Sequence, residues 1–288
     1  MKIEIKGLKK SFEKDEVFKD LSMEIISGEI LGVAGRNGSG KTTLMQNIVS
    51  ILKPDEGVIE ADGKNLRENP ELLQDIIYIP DKFDYFKNYK ISKTMEFYSD
   101  IYKKFDKEKC GALLEEMSYD IKKEIGSLSK GQLTVVGTII GLSCNSDILL
   151  IDEPYDGVDV INEKKMDRLM IEAREEGKGI MISSHELDKL EGICDRIYIF
   201  EDMKLKEFSL ENKNEIKKYQ IVLEENTDEE KLSGDIIIVN RLGRVYQVLY
   251  RGSEEEFRNL MKENGIVQYD VLNTKIEDIM LWNDRKGH

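Results

Sequence analysis

The pattern of apolar and polar positions along the chain predicts strands that alternate with helices. Short apolar runs of strand length occur at Ile30–Ala34, Ile76–Ile79 and Ile148–Ile151, and apolar residues at helical spacing begin at Leu44, after a glycine-rich segment that follows the first run. Runs of this kind are typical of strands that are buried on both faces of a parallel sheet. We therefore expect an α/β core in which a mainly parallel sheet lies between helices.

The character of this pattern changes along the chain. The runs Lys2–Lys6 and Val17–Ile26 predict an N-terminal antiparallel β subdomain, because they alternate around turn signals. Helical spacing dominates residues 82–145, which predicts a helical insert. The predicted division is a first domain of residues 1–210 and a small α+β accessory domain of residues 211–288. That accessory domain carries three strand-like runs and two helical segments.

Composition excludes several classes of protein. The longest apolar runs are far shorter than the roughly 20 residues of a membrane span, and the first residues lack the apolar core of a signal peptide. A net charge of −14 argues against broad nucleic-acid binding. Three widely spaced cysteines argue against a disulfide framework, and two histidines are too few for a His-rich metal site. We expect a cytoplasmic protein that binds no nucleic acid.

The segment Gly35–Thr43 matches the phosphate-loop pattern G-x-x-x-x-G-K-[ST] at every defined position. A strand-like run precedes it and a helical pattern follows it, as the motif requires. Glycines let the backbone bend around phosphate oxygens, and a helix N-terminus adds positive partial charge. Lys41 would reach the β- and γ-phosphates, and Thr42 would bind magnesium. The alternative is a chance glycine-rich turn. The candidate phosphate-binding residues are Asn37, Gly38, Ser39, Gly40, Lys41, Thr42 and Thr43.

An Asp-Glu pair ends the apolar run Ile148–Ile151. At the carboxyl edge of a parallel sheet, Asp152 can hold a magnesium ion and Glu153 can polarise a water molecule for attack on a phosphate. Such a pair alone is more often a helix cap or a solvated rim, but a phosphate loop in the same chain favours the catalytic interpretation. His185 ends a later strand, where the alternative to a site role is a capped helix start.

Five motifs in this order resemble the nucleotide-binding domain of ATP-binding cassette (ABC) proteins over about residues 1–210. They are the phosphate loop, the signature segment Leu128–Gln132, Asp152-Glu153, Val158-Asp159 and Ser183-Ser184-His185. The resemblance implies the P-loop NTPase fold of an ABC cassette, with ATP and Mg²⁺ as cofactors and ATP hydrolysis as the activity. It implies catalytic roles for Lys41, Glu153 and His185. No guanine-selecting N/T-K-x-D tetrapeptide follows, which disfavours a GTPase.

The resemblance also implies a site shared between two chains. Ser129, Gly131 and Asp159 would contact the ATP of a second cassette, identical or different, in a head-to-tail dimer. Phe12 would stack on adenine with Val17 beside it, although Phe12 could equally be a core residue at a strand end.

Two positions depart from the family pattern. Asp81 stands where the family has a glutamine that contacts magnesium, and a carboxylate there can still bind the ion. Lys130 stands where the common signature has glycine. The segment Lys275–Leu281 resembles the ending of exporter-type ATPase subunits, including those of peptide-antibiotic resistance systems.

The function expected from this resemblance is an ATPase subunit that powers a separate transmembrane permease as an exporter. The chain would lie on the inner face of the cell membrane, bound through that permease. The alternative is a non-transport or regulatory ABC ATPase with slow turnover.

Overall fold

The structure, a computed structural model, describes residues 1–13, 15–83, 85–208, 215–224, 236–263 and 265–286. The chain divides into two compact units, Met1–Phe208 and Ser209–His288, and each is described by itself. The predicted boundary between residues 210 and 211 lies outside the described residues. In the described ranges, no helix is long and apolar enough to cross a membrane.

The first unit contains ten strands and six α-helices within its described residues. The strands are β1 (Lys2–Phe12), β2 (Asp15–Ile26), β3 (Ile30–Ala34), β4 (Glu56–Ala61), β5 (Lys64–Asn65), β6 (Ile76–Ile79), β7 (Ile148–Ile151), β8 (Gly179–Ser184), β9 (Arg196–Glu201) and β10 (Lys204–Phe208). The helices are α1 (Lys41–Ile48), α2 (Ile91–Ile101), α3 (Lys107–Glu116), α4 (Lys130–Ser143), α5 (Val160–Glu175) and α6 (Leu187–Glu191).

A six-stranded sheet of order β10-β9-β3-β8-β7-β6 forms the centre of this unit. The pairs β9-β3, β3-β8, β8-β7 and β7-β6 are parallel, and only the edge strand β10 runs antiparallel. Every residue of β3 and β7 is buried, as expected for strands that are covered on both faces. The carboxyl ends of β3, β7 and β8 lie side by side, which is where open α/β sheets place their sites. The predicted α/β fold class is confirmed.

A second sheet, of order β2-β1-β4-β5, is antiparallel and supplies the predicted N-terminal subdomain. Its inner side chains share one core with α1 and β3, for example Ile3, Phe18, Leu31 and Leu44. The strand β1 extends beyond the predicted Lys2–Lys6 because the register shifts after Ile5 and pairing resumes at Leu8. This extension carries Phe12 to the far end of the hairpin.

The region predicted as a helical insert, residues 82–145, contains α2, α3 and α4. The helix α4 is almost entirely apolar and buried beyond its first turn, and it packs on α3, α5, β6 and β7. Aromatic rings cluster on α2 and the loop before it, where Phe86 lies 5.0 Å from Phe97 and 5.9 Å from Tyr98 between ring centroids. The insert thus combines a buried helix with an aromatic, partly exposed surface.

The second unit is an antiparallel sheet with two helices in its described residues. Its elements are β11 (Ile216–Leu223), β12 (Ile236–Leu242), β13 (Val245–Arg251), α7 (Glu254–Glu263), β14 (Ile266–Leu272) and α8 (Ile276–Lys286), with strand order β12-β13-β11-β14. Tyr219 stacks on Phe257 at 3.7 Å between ring centroids and anchors the core. Lys218 pairs with the buried Asp278 of α8 at 2.8 Å. The edge strand β14 was not predicted from the sequence.

Candidate nucleotide-binding site

The phosphate-loop segment forms a tight turn between β3 and α1. Gly40 adopts φ +110°, and a Cβ there would lie only 2.7 Å from Cγ1 of Val17, so this position requires glycine for both reasons. The helix α1 begins at Lys41 with no side-chain cap and no acidic residue in its first turn. Its first N–H groups therefore have no anionic side chain to satisfy them, which is the arrangement that binds phosphate.

The side chain of Lys41 is 5% exposed and lies against the loop. Its ammonium donates to the carbonyl oxygens of Gly35 at 2.6 Å and Arg36 at 3.2 Å, and Oε1 of Glu153 lies 3.1 Å away. The hydroxyl of Ser39 is buried with no hydrogen-bond partner among the described residues. A buried polar atom in this loop is suited to a ligand that supplies oxygen acceptors, as a phosphate does.

The carboxylate of Asp152 accepts three hydroxyl donors at the end of β7. Thr42 and Ser183 donate at 2.6 Å each, and the Tyr78 hydroxyl donates at 3.3 Å. Asp152 is 1% exposed, so these hydrogen bonds offset the cost of burying its charge. Burial raises the pKa of Tyr78 well above its ordinary value, with the charge of Asp152 as the next cause. Tyr78 therefore remains a neutral donor.

Tyr78 was missed in the sequence because it lies within an otherwise aliphatic strand, three residues before Asp81, and matches no motif position itself. Its only signal was a hydroxyl in a run expected to be buried, since a buried tyrosine hydroxyl usually has a partner.

Glu153 adopts φ +50°, a left-handed backbone conformation that costs a non-glycine residue about 1–3 kcal/mol. Its N–H donates to Oγ of Ser183 at 2.9 Å, which holds this turn in place. The turn directs the carboxylate toward both Lys41 and His185. Oε2 of Glu153 accepts from the His185 N–H at 3.3 Å and lies 2.9 Å from its Nδ1.

His185 precedes its helix instead of starting it. The helix α6 begins at Leu187, and Oγ of Ser184 accepts from the N–H of Glu186. The side chain of His185 is 37% exposed and is oriented by Glu153. The structure thus brings together Lys41, Glu153 and His185, the three predicted catalytic residues.

Lys41 and Glu153 line a cleft of about 380 Å³. The ring of Phe12 is 45% exposed at its edge, so the alternative that Phe12 is a core residue is wrong. The residues that line the cleft are Phe12, Val17, Asn37, Gly38, Gly40, Lys41, Thr42, Thr43, Asp81 and Glu153. A volume of this size suits a small-molecule ligand.

Six predicted site residues are absent from the described lining of this cleft: Ser39, Ser129, Gly131, Asp152, Asp159 and His185. Ser129 caps α4 through a capping box with Gln132. Asp159 caps α5 by accepting from the N–H groups of Ile161 and Asn162, and these bonds, the one from Asn162 first, lower the pKa of Asp159. At both helix starts, N–H groups thus already donate hydrogen bonds to a capping side chain of the same chain.

Comparison with known proteins identifies the family. The family model for the ABC transporter matches residues 18–156. The ABC transporter ATP-binding protein YtrB of Bacillus subtilis is 30% identical over 97% of this chain and 97% of its own length. The chain belongs to the ABC transporter ATP-binding protein family. Proteins of this family bind nucleotide and hydrolyse ATP.

Two further similarities agree with this membership. The lipopolysaccharide export system ATP-binding protein LptB of Haemophilus influenzae is 30% identical over 67% of this chain and 84% of its own length. A dimeric ATP-binding cassette solved in a post-hydrolysis state with ADP and Pi superposes with a TM-score of 0.65 at 21% identity, covering 72% of this chain and 98% of that one. The second match shows a shared fold.

The residues of this ABC cassette fit a magnesium nucleotide. The start of α1 has no side-chain cap, and the Ser39 hydroxyl has no hydrogen-bond partner in the part of the chain that the structure describes, so both suit phosphate oxygens. Among the described residues, no three acidic, histidine or cysteine side chains are grouped to hold a metal by themselves. Magnesium commonly takes only one or two protein carboxylates and completes its shell with substrate phosphates and water, so Asp152 beside Thr42 is sufficient.

Proposed function

We propose that the chain is the ATP-hydrolysing subunit of an ABC transporter, which dimerises around Mg-ATP and powers a separate membrane permease in the direction of export. One observation carries this proposal: side chains at the phosphate loop and at the end of β7 are in direct contact. Lys41 contacts Glu153 at 3.1 Å, and Thr42 donates to Asp152 at 2.6 Å. A nucleotide bound at the loop would therefore meet both carboxylates.

Thr42 and Asp152 are the proposed protein groups at magnesium. The bound ion would neutralise charge on the phosphates, while Asp152 is kept in place by its hydrogen bonds to Ser183 and Tyr78. Asp81 is the third predicted metal residue. Its carboxylate lies at the cleft wall and contacts Lys130 at 2.7 Å.

Glu153 is the proposed general base. Its carboxylate is held from two sides by Lys41 and His185, so it is oriented before substrate arrives. In this position it would polarise the water that attacks the γ-phosphate, an effect that contributes about 10²–10⁴-fold in rate. Lys41 and the N–H groups of the loop would hold the phosphates, and His185 would stabilise the γ-phosphate.

Phe12 and Val17 are the proposed adenine contacts. The half-exposed ring of Phe12 offers a face at the cleft, and the Nζ of Lys10 lies 5.2 Å from its centroid. Stacking of a base on an aromatic ring contributes about 1–3 kcal/mol.

A second cassette is the proposed partner at the nucleotide, because cassettes of this family dimerise. Ser129, Gly131 and Asp159 of one chain would face the ATP of the other. Two apolar residues next to Asp159 support this interface: Val160 is 63% exposed and Ile161 is 71% exposed. Adjacent exposed β-branched side chains at a helix start are costly in water and suited to a protein contact.

The transmembrane permease is the second proposed partner, since cassettes of this family work with transmembrane subunits. Exposed aromatic residues of the insert offer a surface for it: Tyr85 is 76% exposed, Tyr89 52% and Phe97 47%. Aromatic residues are enriched at protein interfaces. The proposed location is the cytoplasmic face of the cell membrane, through this contact.

Export is the proposed direction because LptB, a relative over two thirds of this chain, belongs to an export system. The competing function is a regulatory or non-transport ATPase with slow turnover. Purification of the full chain from membranes of its source cells separates the two. We expect a polytopic membrane protein in stoichiometric amount and faster Mg-ATP turnover when the two are joined in vesicles. A chain that purifies without such a protein and hydrolyses ATP slowly in every preparation would contradict the transport proposal.

A further inference from the structure

The two departures from the family pattern, Asp81 and Lys130, meet in one ion-pair cluster. The Nζ of Lys130 lies 2.7 Å from Oδ1 of Asp81 and 2.5 Å from Oδ2 of Asp156. Lys130 donates a hydrogen bond to Asp156 and forms an ion pair with Asp81, and its side chain is 43% exposed. The ammonium is therefore charged and engaged by two carboxylates.

The cluster joins three segments of the site. Asp81 follows β6 and lines the cleft, and Lys130 is the first residue of α4. Asp156 lies in the turn that begins at Glu153, because the N–H of Asp156 donates to the Glu153 carbonyl at 3.2 Å. One ammonium thus links the cleft wall, the start of the signature helix and the turn of the proposed base.

Backbone packing makes the same junction tight. A Cβ at Gly131 would lie 2.1 Å from the carbonyl oxygen of Gly157, so the second residue of α4 meets this turn with no room for a side chain. Close packing of this kind transmits displacement instead of absorbing it. A shift of the Asp156 turn would therefore move both α4 and Glu153.

We propose that Lys130 is a positioning residue for ATP hydrolysis, with Asp81 and Asp156 as its anionic partners. Its ammonium holds the turn after Glu153 against the cleft wall and neutralises the negative charge of Asp81. Thr42 and Asp152 then remain the protein groups for magnesium. Lys130 acts through its two partners and touches no reacting atom. This inference rests on the ATPase function proposed above.

The geometry predicts unequal effects of removing the partners. Without Lys130, the carboxylates of Asp81 and Asp156 would face each other with no cation between them, and like charges at such short range repel. Without the charge of Asp81, the pair of Lys130 and Asp156 persists. Lys130→Met should therefore be more harmful than Asp81→Asn, and the double variant less harmful than Lys130→Met alone.

The first test measures Mg-ATP turnover of the full chain. We expect Lys130→Met to lower kcat about tenfold with the KM for ATP within about twofold, and Lys130→Arg to restore most of the rate. The matched control is Lys104→Met, because Lys104 also bridges two aspartates, Asp75 at 2.7 Å and Asp147 at 3.7 Å, outside the cleft lining. Equal kcat values for the Lys130→Met and Lys104→Met variants would overturn the proposal.

A second readout separates positioning from metal ligation. ATP binding is measured at increasing magnesium concentration for two proteins, the Glu153→Gln variant and the Glu153→Gln, Asp81→Asn double variant. We expect the half-saturating magnesium concentration to stay within about twofold. A rise of about tenfold or more would show that Asp81 contributes to magnesium binding and would overturn the proposal.

Failure of the ATPase function would be visible separately. If the unaltered chain turned over no ATP, the proposed function would fail. Thermal unfolding of the single and double variants at Lys130 and Asp81 would still test whether these two residues interact. Coupled shifts in Tm would support it, and additive shifts would overturn it.

Discussion

The proposed nucleotide site has two halves: the phosphate-loop half, at the start of α1, and the signature half, at the starts of α4 and α5. They differ in how many of their polar groups are hydrogen-bonded within a single chain. The start of α1 has no side-chain cap, and the Ser39 hydroxyl beside it is buried without a partner among the described residues. The starts of α4 and α5 are capped by Ser129 and Asp159. The phosphate-loop half therefore needs a ligand to satisfy its polar groups, whereas the signature half is already satisfied without one.

This difference indicates which half binds first. An uncapped helix start gains hydrogen bonds when phosphate arrives, so the phosphate loop should bind ATP in a single chain. The capped helix starts gain little alone, and we expect them to contribute only when a second chain presents its nucleotide. The site is thus proposed to assemble in two steps.

The largest expected effect comes from the phosphate-loop half. Glu153→Gln removes the proposed base but keeps the side-chain shape, so turnover should fall about 10²–10⁴-fold while ATP binding persists. Steady-state hydrolysis and equilibrium ATP binding would measure the two. Glu176→Gln, at an exposed carboxylate of the same unit, is the control. Unchanged turnover in the Glu153→Gln variant would remove the assignment of the base.

A smaller effect is expected at the base-binding edge of the same half. Phe12→Ala should weaken ATP binding by about 1–3 kcal/mol, roughly 5- to 150-fold in Kd, while Phe12→Trp retains it. Fluorescence titration of a single chain would measure this change. The control is Ile51→Ala, at an exposed apolar residue outside the cleft lining. Equal Kd values for the Phe12→Ala variant and this control would exclude stacking.

The smallest effect is expected in the signature half of a single chain. Ser129→Ala should lower the free energy of unfolding by about 1 kcal/mol through loss of the cap, and Ser129→Thr should restore most of it. The Kd for ATP in the isolated chain should stay within about twofold. Denaturant unfolding and ATP titration check both statements. A large loss of ATP affinity would show that Ser129 contributes to the nucleotide site of its own chain. It would contradict the difference between the two halves described above.

Motifs that are local in sequence allowed much of this site to be predicted. The phosphate loop carries its own strand and helix within Ile30–Ile48, so its context could be predicted before the fold was known. The buried run Ile148–Ile151 likewise placed Asp152 and Glu153 at a strand end. These features depend on neighbours along the chain, and apolar patterning reports such neighbours well.

Contacts between distant segments could not be predicted in this way. Asp81, Lys130 and Asp156 are separated by tens of residues and meet only because the loop after β6, the start of α4 and the turn after β7 converge. The hydrogen bond from Tyr78 to Asp152 has the same origin. The edge strand β14 escaped prediction because it exposes apolar residues, such as Val267 and Val271, and so lacks a clean alternation.

The central claim is that the two halves of each working site come from different chains. It is tested most directly by mixing two inactive variants, Lys41→Ala and Ser129→Arg, and measuring Mg-ATP turnover. Each mixed dimer would pair the intact phosphate loop of one chain with the intact signature of the other. Random association should then restore roughly a quarter of the wild-type rate. A mixture as inactive as its two components, although mixed dimers form, would contradict the claim.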